Sequence, residues 1–235
     1  QSSLAPDVVD IAEDLFLKAL PALSAFNSLR AISFALIGID RYIRARGESE
    51  SIKRINMALL DKISDRYNTF STPDWKWCEE SVTYSNAKIP HALILNGVRL
   101  KRPDLLKDGI ESLDWLLAIQ TAREGHFQPV GSNGFFTHGK AKALFDQQPI
   151  EAAEMTSACL DTYAVTGDPQ WLDRAHLVFS WFLGRNDTGF SLYNKESGGC
   201  HDALHPDRVN RNQGAESTIS FLLAQVEMLN ISAGV

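Results

Sequence analysis

The sequence has few cysteines, no long apolar run and no apolar leader, and these absences limit where the chain works. Cys78, Cys159 and Cys200 stand at unrelated spacings among 235 residues. An odd number without a spacing pattern argues against a disulfide framework and indicates a reducing compartment. The longest apolar run, Ala31 to Ile39, is too short to cross a bilayer. No signal peptide is visible, so we predict a cytoplasmic chain that does not partner a membrane.

The sequence also lacks a concentrated basic patch and the glycine motifs of nucleotide sites. Lys and Arg are scattered and the formal net charge is −6, so a nucleic-acid partner is not expected. The chain contains no P-loop, GxGxxG motif or serine nucleophile elbow. We therefore expect no cofactor and no phosphate cradle.

Apolar residues at helical spacing dominate what is present. Apolar residues make up 44% of the chain, enough for one hydrophobic core, so we predict a single domain over residues 1–235. This domain can also be a fragment of a longer protein. No alternating run is long enough to compete as a sheet, and only isolated strands near Trp75, Phe127 and Phe190 are indicated. The spacing predicts eight helices: Asp7–Leu20, Ala25–Arg46, Glu50–Tyr67, Tyr84–Leu100, Pro103–Ile119, Pro149–Thr166, Pro169–Leu183 and Gly214–Leu229.

An internal repeat organises these helices into pairs. At an offset of 66 residues, Pro103 corresponds to Pro169 and Trp115 corresponds to Trp181. Each unit is an apolar helix, a short turn with proline, and a more amphipathic helix, so neighbouring units must stack to bury their faces. We predict an all-α fold, an α/α toroid of about four stacked hairpins that is incomplete compared with a closed ring of six. Apolar helices would line the inside and amphipathic helices would shield them.

Every long connection leads from an outer helix into the next inner helix. These connections are residues 71–82, 121–148 and 186–213, whereas the reverse turns are short. All three long loops are therefore expected at one end of the toroid, beside the inner-helix N-termini, which favour anions and hydroxyl oxygens. Loops of this length are uncommon and often functional.

The first long loop leads into a cluster of aromatic and polar residues. Trp75, Trp77 and Tyr84 offer rings that stack on sugar faces, and Glu79 and Asn86 offer hydrogen-bonding groups. Burial of a carboxyl against either tryptophan would raise its pKa, as a general acid requires. The alternative is that both tryptophans are plugs in the hydrophobic core.

The second loop ends in Asp146-Gln147-Gln148 and is followed by Glu151 in the first turn of the next helix. Two amides and two carboxylates at a helix N-terminus suit the recognition of hydroxyl groups. Helix capping by Asp146 and a dipole-stabilised Glu151 would explain one or two of them, but not two glutamines in series.

The third loop carries histidine, acid and amide groups before the last helix. The alternative for the histidines is structural hydrogen bonding, and Glu216 alone could be a favourable first-turn acid. A zinc site from Cys200, His201, Asp202 and His205 has suitable residue types but no strong metal spacing, so no metal is predicted. The candidates for ligand binding here are His201, Asp202, Arg211, Asn212 and Gln213, with Glu216 following.

Hydrolysis of a glycosidic bond needs one carboxyl that protonates the leaving oxygen and a second that acts as base or nucleophile. One acid from each loop region meets this need, so Glu79, Asp146 and Glu216 are the predicted catalytic residues. The other residues of the three clusters are the predicted substrate-binding residues: Trp75, Trp77, Tyr84, Asn86, Gln147, Gln148, Glu151, His201, Asp202, Arg211, Asn212 and Gln213.

These motifs resemble a helical module of the six-hairpin glycosidase-like superfamily, of the kind found with bacterial glycosyltransferases. The resembling stretches lie at 75–79 with 84–90, at 145–152, and at 198–204 with 212–218, within residues 74–229. The resemblance implies an α/α toroid with carbohydrate as ligand, and it supplies no catalytic assignment. Ala203 stands where glycine is expected, which bears on the shape of that loop.

Three functions compete on these grounds. The first is a carbohydrate-active, glycoside hydrolase-like enzyme, which the clustered acids favour. The second is a noncatalytic glycan-binding or scaffolding module attached to a glycosyltransferase, which the small number of hairpins favours. The third is a metal-dependent hydrolase, which would need bound metal.

Overall fold

Proline and glycine set the helix boundaries of this chain. Pro103, Pro149 and Pro169 each occupy the first turn of a helix, where the missing N–H forfeits no hydrogen bond. Gly167 is the C-cap residue of the helix Pro149–Thr166 and lies in the left-handed region, at φ 72°. Its N–H donates to the Tyr163 carbonyl at 2.8 Å. This positive φ is the conformation that glycine adopts without strain.

The computed structural model of the protein describes residues 6–232. Two short 3-10 helices, Leu20–Ala25 and Ser180–Leu183, extend the helical segments. Over the described residues the chain forms eight α-helices: α1 Pro6–Ala19, α2 Leu29–Arg46, α3 Glu50–Phe70, α4 Lys88–Arg99, α5 Pro103–Ile119, α6 Pro149–Thr166, α7 Pro169–Phe179 and α8 Ala215–Ser232.

The helices form two layers, as the alternation of apolar and amphipathic segments predicts. In the inner layer α2 packs on α4, α4 on α6, and α6 on α8, while α3, α5 and α7 each pack behind the inner helix that precedes them. An ion pair of 2.6 Å between Arg174 and Asp114 links α7 to α5 in the outer layer. The fold is therefore all-α and arranged as an α/α toroid of helical hairpins.

The last inner helix differs from the others because much of its apolar surface is open. No helix that follows α8 covers it within residues 6–232. The exposed apolar side chains of this face are Ile219, Leu222, Leu223, Val226 and Leu229.

Short strands tie the three long loops to one another. Strand β1 (Ser81–Val82) of the first loop region pairs antiparallel with β2 (Phe136–Thr137) of the second. Strand β3 (Ala203–Leu204) pairs with β4 (Val209–Asn210) within the third, and an isolated bridge joins Gln147 to Leu204. The long loops thus gather at one end of the toroid, where the inner helices begin.

Two predicted helices begin later than their apolar patterns suggest. Phe26 is extended, with φ −69° and ψ 134°, so α2 begins at Leu29 and not at Ala25. Ser85 has a φ of 47°, and the Asn86 side chain accepts the Thr83 N–H at 3.0 Å, so residues 84–87 form a turn ahead of α4. None of the helices within residues 6–232 is both long enough and apolar enough to cross a membrane.

Candidate functional site

A buried arginine at the start of α2 holds the first long loop. The Arg30 side chain is 9% exposed, and its Nε donates to the Tyr84 carbonyl at 2.9 Å. Its Nη2 donates to Thr83 Oγ1 at 2.9 Å and to Asn86 Oδ1 at 3.3 Å. Its Nη1 forms an ion pair with Glu79. Arg30 was not predicted as a site residue, although it directly precedes the apolar run 31–39, and this position was the available signal.

Glu151 continues this network from α2 and the loop to α6. Its Oε1 accepts the Ser85 N–H at 2.5 Å, and its Oε2 accepts Asn86 Nδ2 at 2.9 Å. Burial raises the pKa of Glu151, although these hydrogen bonds and the charge of Arg30 act to lower it. Both carboxyl oxygens are occupied, so Glu151 fixes the loop against the N-terminus of α6.

Glu154, one helical turn further along α6, is differently placed. It is 5% exposed, and its Oε1 accepts the Ser85 hydroxyl at 3.2 Å, whereas its buried Oε2 has no hydrogen-bond partner in the described part of the chain. Burial raises its pKa to about 8, the charge of Lys88 opposes the rise, and Glu151 adds to it. Glu154 is therefore a protonated acid at neutral pH.

Glu154 faces a groove on the inner side of the helices. A pocket of about 250 Å³ is enclosed between α2, α4, α6 and α8, and a second of about 300 Å³ shares Ser157 and Glu227 with it. Ser157 donates a hydrogen bond to the Glu227 carboxylate. We call these two adjoining pockets together the inner groove, and the side chains that matter for its chemistry are Phe34, Arg41, Lys88, Glu154, Ser157, Asp161 and Glu227.

In the second pocket of the inner groove, Asp161 is held by hydrogen bonds to two neighbouring side chains. Asp161 Oδ2 is 2.7 Å from His91 Nε2 and 2.5 Å from Arg41 Nη2. Burial lowers the pKa of His91 on balance, although the hydrogen bond to Asp161 and the charge of Asp161 act to raise it. Burial acts to raise the pKa of Asp161, but the hydrogen bond from His91 and the charge of Arg41 lower it on balance. These groups stabilise one another, whereas Glu154 Oε2 is buried without a hydrogen-bond partner among the described residues.

Glu154 gives the stability of the fold a pH dependence of known sign. The pKa of its carboxyl is about 4.5 in an unfolded chain and about 8 in the fold, so within this window the folded state binds the extra proton. Stability consequently falls as pH rises through the window, by up to about 1.4 kcal/mol per pH unit from this group. Thermal unfolding at about pH 5.5 and about pH 8 should show a larger drop in Tm for the wild type than for Glu154→Gln. Equal drops would contradict the raised pKa.

The prediction that Trp75 and Trp77 stack on sugar is wrong, because both side chains are buried in the hydrophobic core. Trp75 is 3% exposed and Trp77 is fully buried. Their indole N–H groups donate to the carbonyls of Glu79, at 2.8 Å, and Ser81, at 3.1 Å. Trp115 packs against both rings, with centroids 4.9 and 6.2 Å away. The aromatic residue of this loop that does lie open is Tyr84, which is 54% exposed.

The two adjacent glutamines have different positions. Gln147 is fully buried, and its amide donates to Asp187 Oδ2 at 2.5 Å and accepts the Trp181 indole N–H at 2.8 Å. Gln148 is the N-cap residue of α6, and its side chain makes no capping bond. Gln147 therefore joins two loops and does not reach a ligand.

We expect Gln147→Ala to destabilise the fold by about 1–3 kcal/mol, because Asp187 and Trp181 would lose a buried partner. Gln148→Ala is the matched control and should change the free energy of unfolding by less than about 0.5 kcal/mol. Urea unfolding of both variants measures the difference. Similar losses in the two would argue against the buried role of Gln147.

The remaining predicted residues surround the start of α6 and α8. Asp146 has a φ of 63°, accepts the Ser132 hydroxyl at 2.6 Å and lies 3.8 Å from His205 Nδ1. Glu216 is exposed in the first turn of α8, and Arg211 is exposed. Within residues 6–232 no hydrogen bond or ion pair joins Glu79, Asp146 and Glu216, so the predicted catalytic set is not brought into contact.

In the third loop the polar groups mostly hold the backbone. Asp202 accepts the Gly214 N–H at 2.7 Å and a hydrogen bond from the Asn212 amide. Burial acts to raise its pKa, but these bonds and one from Ser217 lower it. Gln213 accepts the Ser197 hydroxyl at 2.6 Å, and His201 keeps a buried Nδ1 without a partner among the described residues.

The zinc alternative finds no support in the third loop. Cys200 is fully buried, and burial raises its thiol pKa to about 12, which opposes the thiolate a metal needs. Over residues 6–232 no three His, Cys, Asp or Glu side chains are grouped to hold an ion.

The fold of this chain also occurs in solved structures of other proteins. No family model and no curated protein matches the chain. Solved structures do match it. An unsaturated glucuronyl hydrolase specific for heparin superposes with a TM-score of 0.69 at 12% identity, over 98% of this chain and 63% of that one.

Two further solved structures show the same architecture. An inactive variant of the alpha-1,6-mannanase GH76A of a Salegentibacter species, bound to alpha-1,6-mannotriose, superposes with a TM-score of 0.63 at 15% identity. The match covers 88% of this chain and 56% of that one. The cellobiose 2-epimerase of Spirochaeta thermophila superposes with a TM-score of 0.53 at 14% identity, over 86% of this chain and 52% of that one. The chain therefore has the same α/α-toroid fold as these solved structures, which is the fold that the resemblance implies. It spans between 52% and 63% of the length of these three structures.

Proposed function

We propose that this chain is a carbohydrate-active domain whose oligosaccharide ligand lies in the inner groove. The observation that carries the proposal is Glu154, a buried carboxyl that is protonated at neutral pH and has one oxygen without a partner. A protonated acid in a groove can donate a hydrogen bond to a hydroxyl or a proton to a glycosidic oxygen. Such a pKa, raised by burial in a cleft, is a physical mark of a functional site.

The structural neighbours support carbohydrate as the class of ligand. By their names they act on a mannan, on heparin-derived sugar and on cellobiose, and one of them holds a mannotriose. The groove itself combines apolar, hydroxyl and charged groups, as in Phe34, Ser157 and Lys88. Sugars present the same mixture of apolar faces and hydroxyl edges.

For catalysis we assign Glu154 as the general acid and Glu227 as the second carboxylate. Glu227 faces the same groove from α8, and a hydrogen bond from Ser157 holds it. This pair replaces Glu79, Asp146 and Glu216 as the proposed catalytic residues. Glu79 is paired with Arg30, and neither Asp146 nor Glu216 lines the inner groove. Protonation of the leaving oxygen by Glu154 is the step this geometry serves.

The second candidate is a noncatalytic glycan-binding or scaffolding module attached to a glycosyltransferase. The exposed apolar face of α8 favours it, because such a face is suited to packing against an attached domain. In this case Glu154 would hydrogen-bond a sugar hydroxyl and no bond would be cleaved.

One experiment separates these candidates. The purified chain is applied to an array of immobilised oligosaccharides to find those that it binds. Each bound glycan is then incubated in solution with the chain, and the products are analysed by mass spectrometry. Binding with cleavage supports the enzyme, and binding without cleavage supports the module. Failure to retain any glycan would contradict both.

A further inference from the structure

A second polar pocket lies outside the inner groove. The start of α2, the C-terminal half of α3 and the first long loop enclose about 450 Å³. None of its lining residues also lines the inner groove. We call it the outer pocket, and the side chains that matter for its chemistry are Arg30, Lys62, Asp65, Arg66, Glu79 and Tyr84.

Tyr84 gives the outer pocket an open aromatic ring whose position is fixed. The residue is 54% exposed, although its backbone carbonyl is held by Arg30 Nε at 2.9 Å. The Arg30 guanidinium also lies 5.4 Å from the centre of the ring. Because Arg30 holds the backbone of Tyr84 and also contacts the ring, less conformational entropy is lost when a ligand stacks on this ring than on a free tyrosine. An exposed ring beside polar groups is suited to the apolar face of a sugar.

The charges around the outer pocket leave an excess of positive charge. Arg30 is already paired with Glu79. Lys62 donates to the carbonyls of Ser24 and Phe26, at 2.9 and 2.6 Å, and within residues 6–232 no carboxylate lies within 4 Å of its ammonium.

Arg66 is also without a carboxylate within 4 Å among the described residues, and its guanidinium lies 4.4 Å from the Phe70 ring centre. Asp65 is the remaining acid of the lining. Two cations, Lys62 and Arg66, therefore stand against one anion, and an anionic ligand would be favoured over a neutral one.

We propose that the outer pocket binds an acidic sugar residue of the glycan, with its ring on Tyr84 and its carboxylate between Lys62 and Arg66. This deepens the proposed function, on which it rests, because it makes the substrate an oligosaccharide that carries a uronate group. The buried Arg30–Glu79 pair keeps the loop and the tyrosine in place while the two α3 cations select the charge.

The test uses glucuronate and glucose as probes, since they share a ring and differ in charge. Chemical-shift titrations of the isotope-labelled chain at low salt give both dissociation constants. We expect glucuronate to bind about two- to fivefold more tightly than glucose, which is the scale of a partly exposed charge contact. Arg66→Gln should abolish this preference, and Tyr84→Ala should weaken binding of both probes. Arg54→Gln, an exposed arginine of α3 that is not part of the lining, should change neither.

Three results would overturn the proposal: equal binding of the two probes, an unchanged preference in Arg66→Gln, or no binding of glucuronate. The inner groove is tested separately by Glu154→Gln, which should leave the glucuronate titration unchanged. Loss of cleavage or glycan retention in Glu154→Gln with intact glucuronate binding keeps the two sites distinct. Normal glycan handling by Glu154→Gln with intact glucuronate binding would reject the inner groove alone.

Discussion

Replacing Glu154 with glutamine should lower kcat by at least about a hundredfold on any oligosaccharide that the chain cleaves. Glutamine keeps the shape of the side chain and can retain the contact with the Ser85 hydroxyl, which is 3.2 Å away. It has no acidic proton to give to a leaving oxygen. Because the pKa of Glu154 is about 8, the wild-type rate should also fall as pH rises above that value.

The matched control for this prediction is Glu50→Gln, since Glu50 is an exposed acid in the first turn of the outer helix α3. It should keep wild-type kcat. Circular dichroism and unfolding curves would show that both variants fold. Full turnover by Glu154→Gln would remove Glu154 as the general acid, and the noncatalytic module would remain.

Replacing Arg30 with methionine should destabilise the fold by about 3–5 kcal/mol, because it strands a partly buried carboxylate and several acceptors. Arg30 joins α2 to the loop through Glu79, Thr83 and Asn86, and the carbonyl of Tyr84 is its fourth acceptor. For a chain of this length that loss corresponds to a fall in Tm of roughly 10 °C.

Urea unfolding of Arg30→Met measures this loss directly. Arg54→Met is the control, because Arg54 is exposed on α3 and should change stability by less than about 0.5 kcal/mol. Adding Glu79→Gln to Arg30→Met should recover part of the loss, since the unpaired charge is then gone. A loss below about 1 kcal/mol in Arg30→Met would mean that the network does not hold the loop.

The helical architecture could be predicted because its signals are local. Pro103–Ile119 and Pro149–Thr166 are found with the bounds that their proline starts and apolar spacing predict. The errors lie where side chains compete with the helix, as at Asn86, whose amide oxygen accepts the Thr83 N–H and delays α4 to Lys88. The strands predicted near Trp75 and Phe190 are not found there, and Phe127 forms only an isolated bridge with Thr121. Strands β1 and β2 depend on pairing between two loops that are distant in the sequence, which local patterns do not display.

The site was predicted less well because it depends on burial, which a sequence does not display. The indoles of Trp75 and Trp77 have the chemistry of a sugar platform, yet Trp115 covers them. Glu154 lies within an ordinary apolar helix pattern, and its burial on α6 beside the inner groove is the main cause of its raised pKa. Glu151 was identified from its place at the helix start, although its role is to anchor the loop.

A crystal structure with a bound oligosaccharide tests the central claim most directly. The glycan should come from the array, and the crystals should be of Glu154→Gln so that the ligand stays intact. The account predicts a sugar oxygen within hydrogen-bonding distance, about 3 Å, of the side chain at position 154, with the glycan lying along the inner groove. A glycan that binds elsewhere and leaves this side chain untouched would contradict it.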